Sequence, residues 1–242
     1  MAMQKEHIRE IFSSTQGEGI YPGVRQIFIR FPLCNLNCDY CDTPSKELPD
    51  FCNVETTPGC GNFKKIKNPI SVEGIIEIIN DLKTNDLHSI SLTGGEPLLY
   101  PGFIKELRNQ TKISFYLETN STIPENARKI KTCVDFVAAD IKLDNTEFYK
   151  NSLETIKILK DRNLFIKIVV LPGVENYVLE KVAQDLKNQR IDVPLVLQPV
   201  TPYGEIKEKP DAERLFELAD ICGKHLTDVR IIPQMHKIWG VL

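Results

Sequence analysis

The stretch Ile27-Phe28-Ile29-Arg30-Phe31-Pro32-Leu33-Cys34-Asn35-Leu36-Asn37-Cys38-Asp39-Tyr40-Cys41 decides how the rest of the chain is read. Its first five residues form an apolar, partly β-branched segment of strand length, and three cysteines follow almost at once. Three thiolates this close can hold three irons of a cubane cluster and leave the fourth iron open, as a catalytic metal site requires. The spacing also fits a structural zinc site with Cys52 or Cys60 as fourth ligand, because zinc commonly takes four thiolates.

Outward from this stretch, apolar segments of strand length recur at Ile90–Thr93, Ser114–Glu118, Phe136–Asp140, Phe165–Leu171, Leu195–Pro199 and Val229–Ile232. Helical patterns lie between most of them. In Ser71–Lys83, Ile75, Ile76, Ile79 and Leu82 recur at three- and four-residue steps, with Ser71 placed as N-cap. Helices also fit Pro101–Asn109, Thr146–Asp161, Val178–Gln189 and Ala212–Lys224. Strand and helix in alternation predict a parallel sheet with helical crossovers, open or barrel-like. Two stretches break the rhythm. Pro44–Asn68 is long for a plain connection and carries Cys52 and Cys60, and Thr201–Pro210 is a second polar loop.

At 242 residues the chain fits one α/β domain, with apolar residues at 42%. A net charge of −3 gives no whole-surface preference for nucleic acid or anionic membrane. No apolar run reaches the roughly 20 residues of a membrane span, and Met1–Arg9 has no signal-peptide core. The expectation is a cytoplasmic protein, whose seven cysteines point to metal or redox chemistry more than to disulfides. Cys133 and Cys222 sit in apolar surroundings and read as core thiols.

Combined with Gly94-Gly95-Glu96-Pro97 after the second strand, the CxxxCxxC pattern resembles the radical S-adenosylmethionine superfamily. The resemblance implies a modified, incomplete (β/α) TIM-like barrel, one domain over residues 1–242, with a cysteine-containing insert at about 44–68. It implies a [4Fe–4S] cluster on Cys34, Cys38 and Cys41, whose open iron chelates S-adenosylmethionine. Gly95 and Glu96 would meet the amino group of that cofactor, since glycines let the backbone approach a ligand closely. Tyr40, Cys41, Asp42, Glu118, Asp140, Ile141, Lys142 and Gln198 align with the same cofactor site; several fall at predicted strand ends, where parallel β/α folds hold ligands.

The flanks are more specific. Thr15-Gln16-Gly17-Glu18-Gly19, Arg30, Asp42-Thr43 and Pro233-Gln234-Met235-His236-Lys237 together resemble the 7-carboxy-7-deazaguanine synthase family from about Ile11 to Leu242. That family is a carbon–nitrogen lyase of queuosine biosynthesis, a tRNA-modification pathway. It converts 6-carboxy-5,6,7,8-tetrahydropterin to 7-carboxy-7-deazaguanine: a hydrogen leaves C6, the ring contracts, ammonia departs and S-adenosylmethionine is re-formed. The resemblance implies substrate contacts at Thr15, Gln16, Gly17, Arg30, Thr93 and the Leu242 terminal carboxylate. It gives Glu18 and His236 catalytic positions beside the pterin. Thr43 would ligate Mg2+, an ion that often takes few protein ligands. Arg30 would grip the substrate carboxylate, to which a guanidinium binds bidentately. A homodimer and a flavodoxin- or ferredoxin-type electron donor are also implied, with no direct nucleic-acid partner.

Two features depart from the family pattern: Leu33 stands where a glycine is usual, and the Cys52–Cys60 insert has no counterpart. The insert is expected to have an accessory structural role. Two rival readings remain at this point. A glycyl-radical-enzyme activase of the same superfamily would not need the Gln-Gly-Glu, Asp-Thr and C-terminal Gln-x-His features. A zinc or electron-transfer module would be non-enzymatic.

Overall fold

The computed structural model describes residues 4–41, 43, 47–143 and 145–241. Twelve strands are found among them: β1 (Lys5–Glu6), β2 (Glu10–Thr15), β3 (Arg25–Phe31), β4 (Phe51–Glu55), β5 (Phe63–Lys67), β6 (Ile70–Ser71), β7 (Leu87–Gly94), β8 (Phe115–Thr119), β9 (Phe136–Asp140), β10 (Asn163–Val170), β11 (Leu195–Pro199) and β12 (Val229–Ile231). The helices are α1 (Val72–Leu82), α2 (Pro101–Gln110), α3 (Pro124–Ile130), α4 (Thr146–Leu159), α5 (Asn176–Asn188), α6 (Ala212–Gly223) and α7 (Met235–Trp239).

Ten strands form one sheet in the order β12-β11-β10-β9-β8-β7-β3-β2-β4-β5. From β3 to β12 every neighbouring pair is parallel. The strands β7 to β10 are buried along most of their length, as strands covered on both faces are; β8, β9 and β10 are mainly apolar, while β7 buries Ser89, Ser91 and Thr93 between its apolar residues. The sheet curls without closing, since β12 and β5 are its two edges. This is an open, modified (β/α) barrel.

The helices form where the sequence supplies a face and a cap. In α1, Val72, Ile75, Ile78, Ile79 and Leu82 turn inward while the Ser71 hydroxyl accepts the Gly74 amide. Asn145 caps α4 and Asp211 caps α6 in the same manner. The predicted strands and helices all occur, with ends shifted by a few residues. Two of the elements not foreseen are β2, which carries two serines, and the seven-residue, largely polar α3.

The stretch read as a long connection is largely a hairpin. β4 pairs parallel to β2, and β5 folds back on β4. Cys52 and Val54 face the core, whereas Cys60 lies exposed in the turn. The buried Glu55 carboxylate fastens this addition: it accepts Ser13 N at 2.9 Å, Gly59 N at 3.1 Å and Gly61 N at 2.9 Å. Gly59 and Gly61 both have left-handed φ, +75° and +69°, which glycine adopts without strain.

Glu55→Ala leaves three amides without their shared acceptor, one of them on a core strand. It should lower unfolding free energy by about 2–3 kcal/mol in urea titrations. A loss below about 0.5 kcal/mol would show that water replaces the carboxylate at no cost.

Candidate functional site

The carboxyl ends of β3 and β7 to β11 converge on a cavity of about 960 Å³. Backbone contacts at the tips of β3 and β7 set its shape. Gly95 N donates to Phe31 O at 2.9 Å and Glu96 N to Leu33 O at 2.7 Å. A Cβ on Gly95 would lie 2.0 Å from Leu33 O, so only glycine allows the turn to press against the start of the cysteine loop.

Cys34, Cys38 and Cys41 all line this cavity. Cys34 Sγ accepts Leu36 N at 3.4 Å and Asn120 Nδ2 at 3.6 Å, the N–H···S contacts that cluster ligands commonly receive. Burial pushes the Cys34 and Cys38 thiols up, so their thiolate forms call for a compensating cation. Among the described residues no three Cys, His, Asp or Glu side chains are grouped as ligands of a single ion. The donor set suits a cluster, whose thiolates sit on separate irons. The fit extends to an organic ligand: Gln198 is buried against the cavity with its Oε1 lacking a hydrogen-bond partner.

Of the other residues singled out from sequence, Thr15, Gln16, Gly17, Glu18, Arg30, Thr43, Thr93 and His236 line the cavity. So do Tyr40, Gly95, Glu118, Asp140 and Lys142. Asp42 and Leu242 lie outside the described residues. Glu96 and Ile141 are buried but are not part of the lining. Expected to face a cofactor, Glu96 instead spends its carboxylate on the frame: it accepts Leu98 N and Thr119 Oγ1 at 2.8 Å and Asn120 N at 2.7 Å. Burial raises its carboxyl to about 7 against those bonds. Gln16 is similarly engaged, with Oε1 accepting the amides of Gly17 and Glu18 and Nε2 donating to Gln26 and Glu118.

At the far end Arg30 pairs through Nε with Glu10, donates Nη1 to Thr43 Oγ1 at 3.4 Å and lies 5.5 Å over the Phe12 ring. Helix α7 is fixed by Met235 N donating to Gly17 O at 2.8 Å. A Cβ on Gly17 would lie 2.4 Å from His236 Nδ1, so glycine is required for His236 to dock there.

Sequence reading missed Lys167. It sits inside the apolar strand β10, yet its ammonium reaches the cavity and pairs with Glu18 and Asp140. The signal was present as a lone lysine in Phe165-Ile166-Lys167-Ile168-Val169-Val170, since a buried charge demands partners. Burial pushes the Glu18 carboxyl up, but the charge and hydrogen bond of Lys167, with the bond from Gln234, outweigh it and hold the group at about 2.

The radical SAM superfamily model matches residues 28–186, and the chain belongs to that superfamily. Within it, the chain belongs to the 7-carboxy-7-deazaguanine synthase family. It is 41% identical to the 7-carboxy-7-deazaguanine synthase of Methanocaldococcus jannaschii, over 97% of this chain and 100% of the relative. The Geobacter sulfurreducens enzyme of that name is 36% identical over all of both chains. The fold matches the crystal structure of QueE from Escherichia coli at a TM-score of 0.60 and 20% identity, covering 96% of this chain and 95% of that one. Streptococcus suis SuiB, solved bound to S-adenosylmethionine, matches at 0.55 and 17%, covering 84% of this chain and 48% of that one. Membership resolves the choice left by cysteine spacing in favour of an iron–sulfur cluster and S-adenosylmethionine. The full-length relatives set aside the activase reading.

Because the Glu18 carboxyl is held below its ordinary value of 4.5, its ion pair stabilises the folded chain fully above about pH 4.5. That contribution fades as pH falls toward about 2. Relative to Glu18→Gln, the wild type should lose about 1.4 kcal/mol of unfolding free energy per pH unit below about 4.5, read from urea titrations at several pH values. A constant difference would mean that the pair is not formed.

Proposed function

We propose that the chain is a lyase converting 6-carboxy-5,6,7,8-tetrahydropterin to 7-carboxy-7-deazaguanine with loss of ammonia, a step of queuosine biosynthesis in the cytoplasm. The observation that carries this reading is one cavity bringing the three-cysteine loop together with Arg30, Glu18 and His236. When bound, the cluster and S-adenosylmethionine supply the abstraction of a hydrogen atom from the pterin.

The protein's share is recognition, orientation and exclusion of water. Arg30 receives the substrate carboxylate, its fork pre-set by Glu10 and the Phe12 face. Glu18, kept ionised by Lys167, accepts N–H donors of the pterin edge, and His236 lies beside it. Thr93, Thr15 and the Gln16–Gly17 backbone complete the substrate surface. Thr43, hydrogen-bonded to Arg30, contributes its hydroxyl to Mg2+, with substrate oxygens and water supplying the rest. Tyr40, Gly95, Glu118, Asp140, Lys142 and Gln198 surround S-adenosylmethionine. A flavodoxin- or ferredoxin-type protein delivers the electron, and the working unit is a homodimer.

Anaerobic incubation with 6-carboxy-5,6,7,8-tetrahydropterin, S-adenosylmethionine, Mg2+ and a reductant should yield 7-carboxy-7-deazaguanine and ammonia in equal amounts. Absence of product from cluster-loaded protein would sink the proposal. Cys34→Ala, Cys38→Ala and Cys41→Ala should each abolish cleavage of S-adenosylmethionine. Cys52→Ala and Cys60→Ala should keep the iron and sulfide content, because neither residue lines the cavity.

Arg30→Ala removes a charge-assisted partner at a largely buried site and should raise the substrate KM about 30-fold or more. The KM for S-adenosylmethionine should change far less. Arg30→Lys should recover only part of the loss, because an ammonium lacks the bidentate fork. Equal changes for both ligands would assign Arg30 to the scaffold.

A further inference from the structure

Within the cavity, acidic and basic side chains alternate. Glu18, in the turn after β2, accepts Gln234 Nε2 at 2.7 Å on one oxygen and Lys167 Nζ on the other. The same ammonium lies 3.3 Å from Asp140 Oδ1, at the end of β9. Asp140 Oδ2 holds Lys142 Nζ at 2.9 Å, and Lys142 Nζ donates to the Tyr40 hydroxyl at 3.1 Å. The series runs from Glu18, assigned above to the pterin, to Tyr40, beside Cys41 on the cofactor side. Lys167 is the cation shared by both carboxylates, and its side chain is only 11% exposed.

We propose that Lys167 is a positioning residue that bridges the Glu18 and Asp140 carboxylates and holds them at fixed separation, tying the pterin end of the site to the cofactor end. The proposal rests on the synthase reading above. Charged and titratable groups face Lys167 from several elements. Glu18 comes from the turn after β2, Asp140 from the end of β9 with Lys142 just beyond the strand, and Glu118 from β8, where Tyr116 lies within the field of the same carboxylates. His236 of α7 adds its field at Glu18. On the other side β11 pairs Lys167 with the uncharged Val196. Without the ammonium, Glu18 would keep the Gln234 hydrogen bond and the field of His236 but lose its ion-pair partner at a buried position. A buried carboxylate deprived of its cation is driven toward the protonated form. Glu18 would then lose acceptor capacity toward pterin N–H groups.

The test is Lys167→Met, which removes the charge and keeps the length of the stem, beside Lys167→Arg, which keeps the charge. In cluster-loaded protein, Lys167→Met should weaken binding of 6-carboxy-5,6,7,8-tetrahydropterin about 30-fold or more and that of S-adenosylmethionine much less. The loss should shrink as pH rises, because a raised carboxyl regains its acceptor form only above its pKa; wild-type affinity should stay flat over the same range. Lys167→Arg should restore most of the affinity and the flat profile. Equal loss for both ligands, a pH-independent loss, or no rescue by arginine would make Lys167 a plain scaffold residue and overturn the proposal. A ligand-free readout separates this from the synthase reading. The melting-temperature gap between wild type and Lys167→Met should narrow on acidification from about pH 8 to about pH 5, because the raised carboxyl takes up its proton only in the folded chain. A constant gap overturns the ladder whatever the substrate proves to be. A wild-type chain that melts as predicted but makes no deazaguanine product would overturn only the synthase assignment.

Discussion

The parallel pairing of β3 with β7 runs past the ends of both strands, and the site depends on that continuation. Phe31 lies opposite Gly94, after which Gly95 N and Glu96 N bond back to Phe31 O and Leu33 O. The cysteine loop therefore starts from a fixed rail. Its first turn is pinned from the other side by Asn120, which donates to both Cys34 Sγ and Asn35 Oδ1. Asn120 is held through its own amide by Glu96. A buried carboxylate thus locks the tips of three strands around the first thiol. A side chain larger than hydrogen at position 95 would push the rail apart.

A second constraint is electrostatic. The site gathers several ionised groups on mostly buried side chains, where an unpaired charge costs several kcal/mol. Pairing by alternation satisfies them: Glu18 with Lys167, Asp140 with Lys167 and Lys142, Arg30 with Glu10. Glu118 is held by neutral donors, Gln16, Ser91 and Thr93. The field within the cavity is therefore set before any ligand arrives, which is the arrangement that favours pre-organised recognition.

Much of this was legible in the chain. The apolar segments gave the parallel strands to within a few residues, because strands buried on both faces are mainly apolar. The serine before α1 gave its start. The hairpin β4–β5 was not legible. Its register is fixed by pairing to β2 and by Glu55 reaching Ser13, contacts across 42 positions that no local pattern encodes. Lys167 was also passed over, because a single lysine in a strand reads as surface until the sheet is seen to bury it. Glu96 was placed in the ligand shell by its motif; in the fold its oxygens are occupied by Leu98, Thr119 and Asn120.

By itself, the sequence determined the chemistry: three thiols at a fixed spacing on the end of a strand, a double glycine, and the Gln-Gly-Glu and His236 segments that go with them. These are local facts, since ligand type and backbone freedom belong to residues and their immediate neighbours. Only the tertiary structure decided which of those groups face the cavity and which support it. That sorting turns on desolvation and on pairings between residues more than a hundred positions apart, such as Glu18 with Lys167 and Lys142 with Tyr40. A buried charge takes its meaning from the charge beside it, and the neighbour is chosen by the fold.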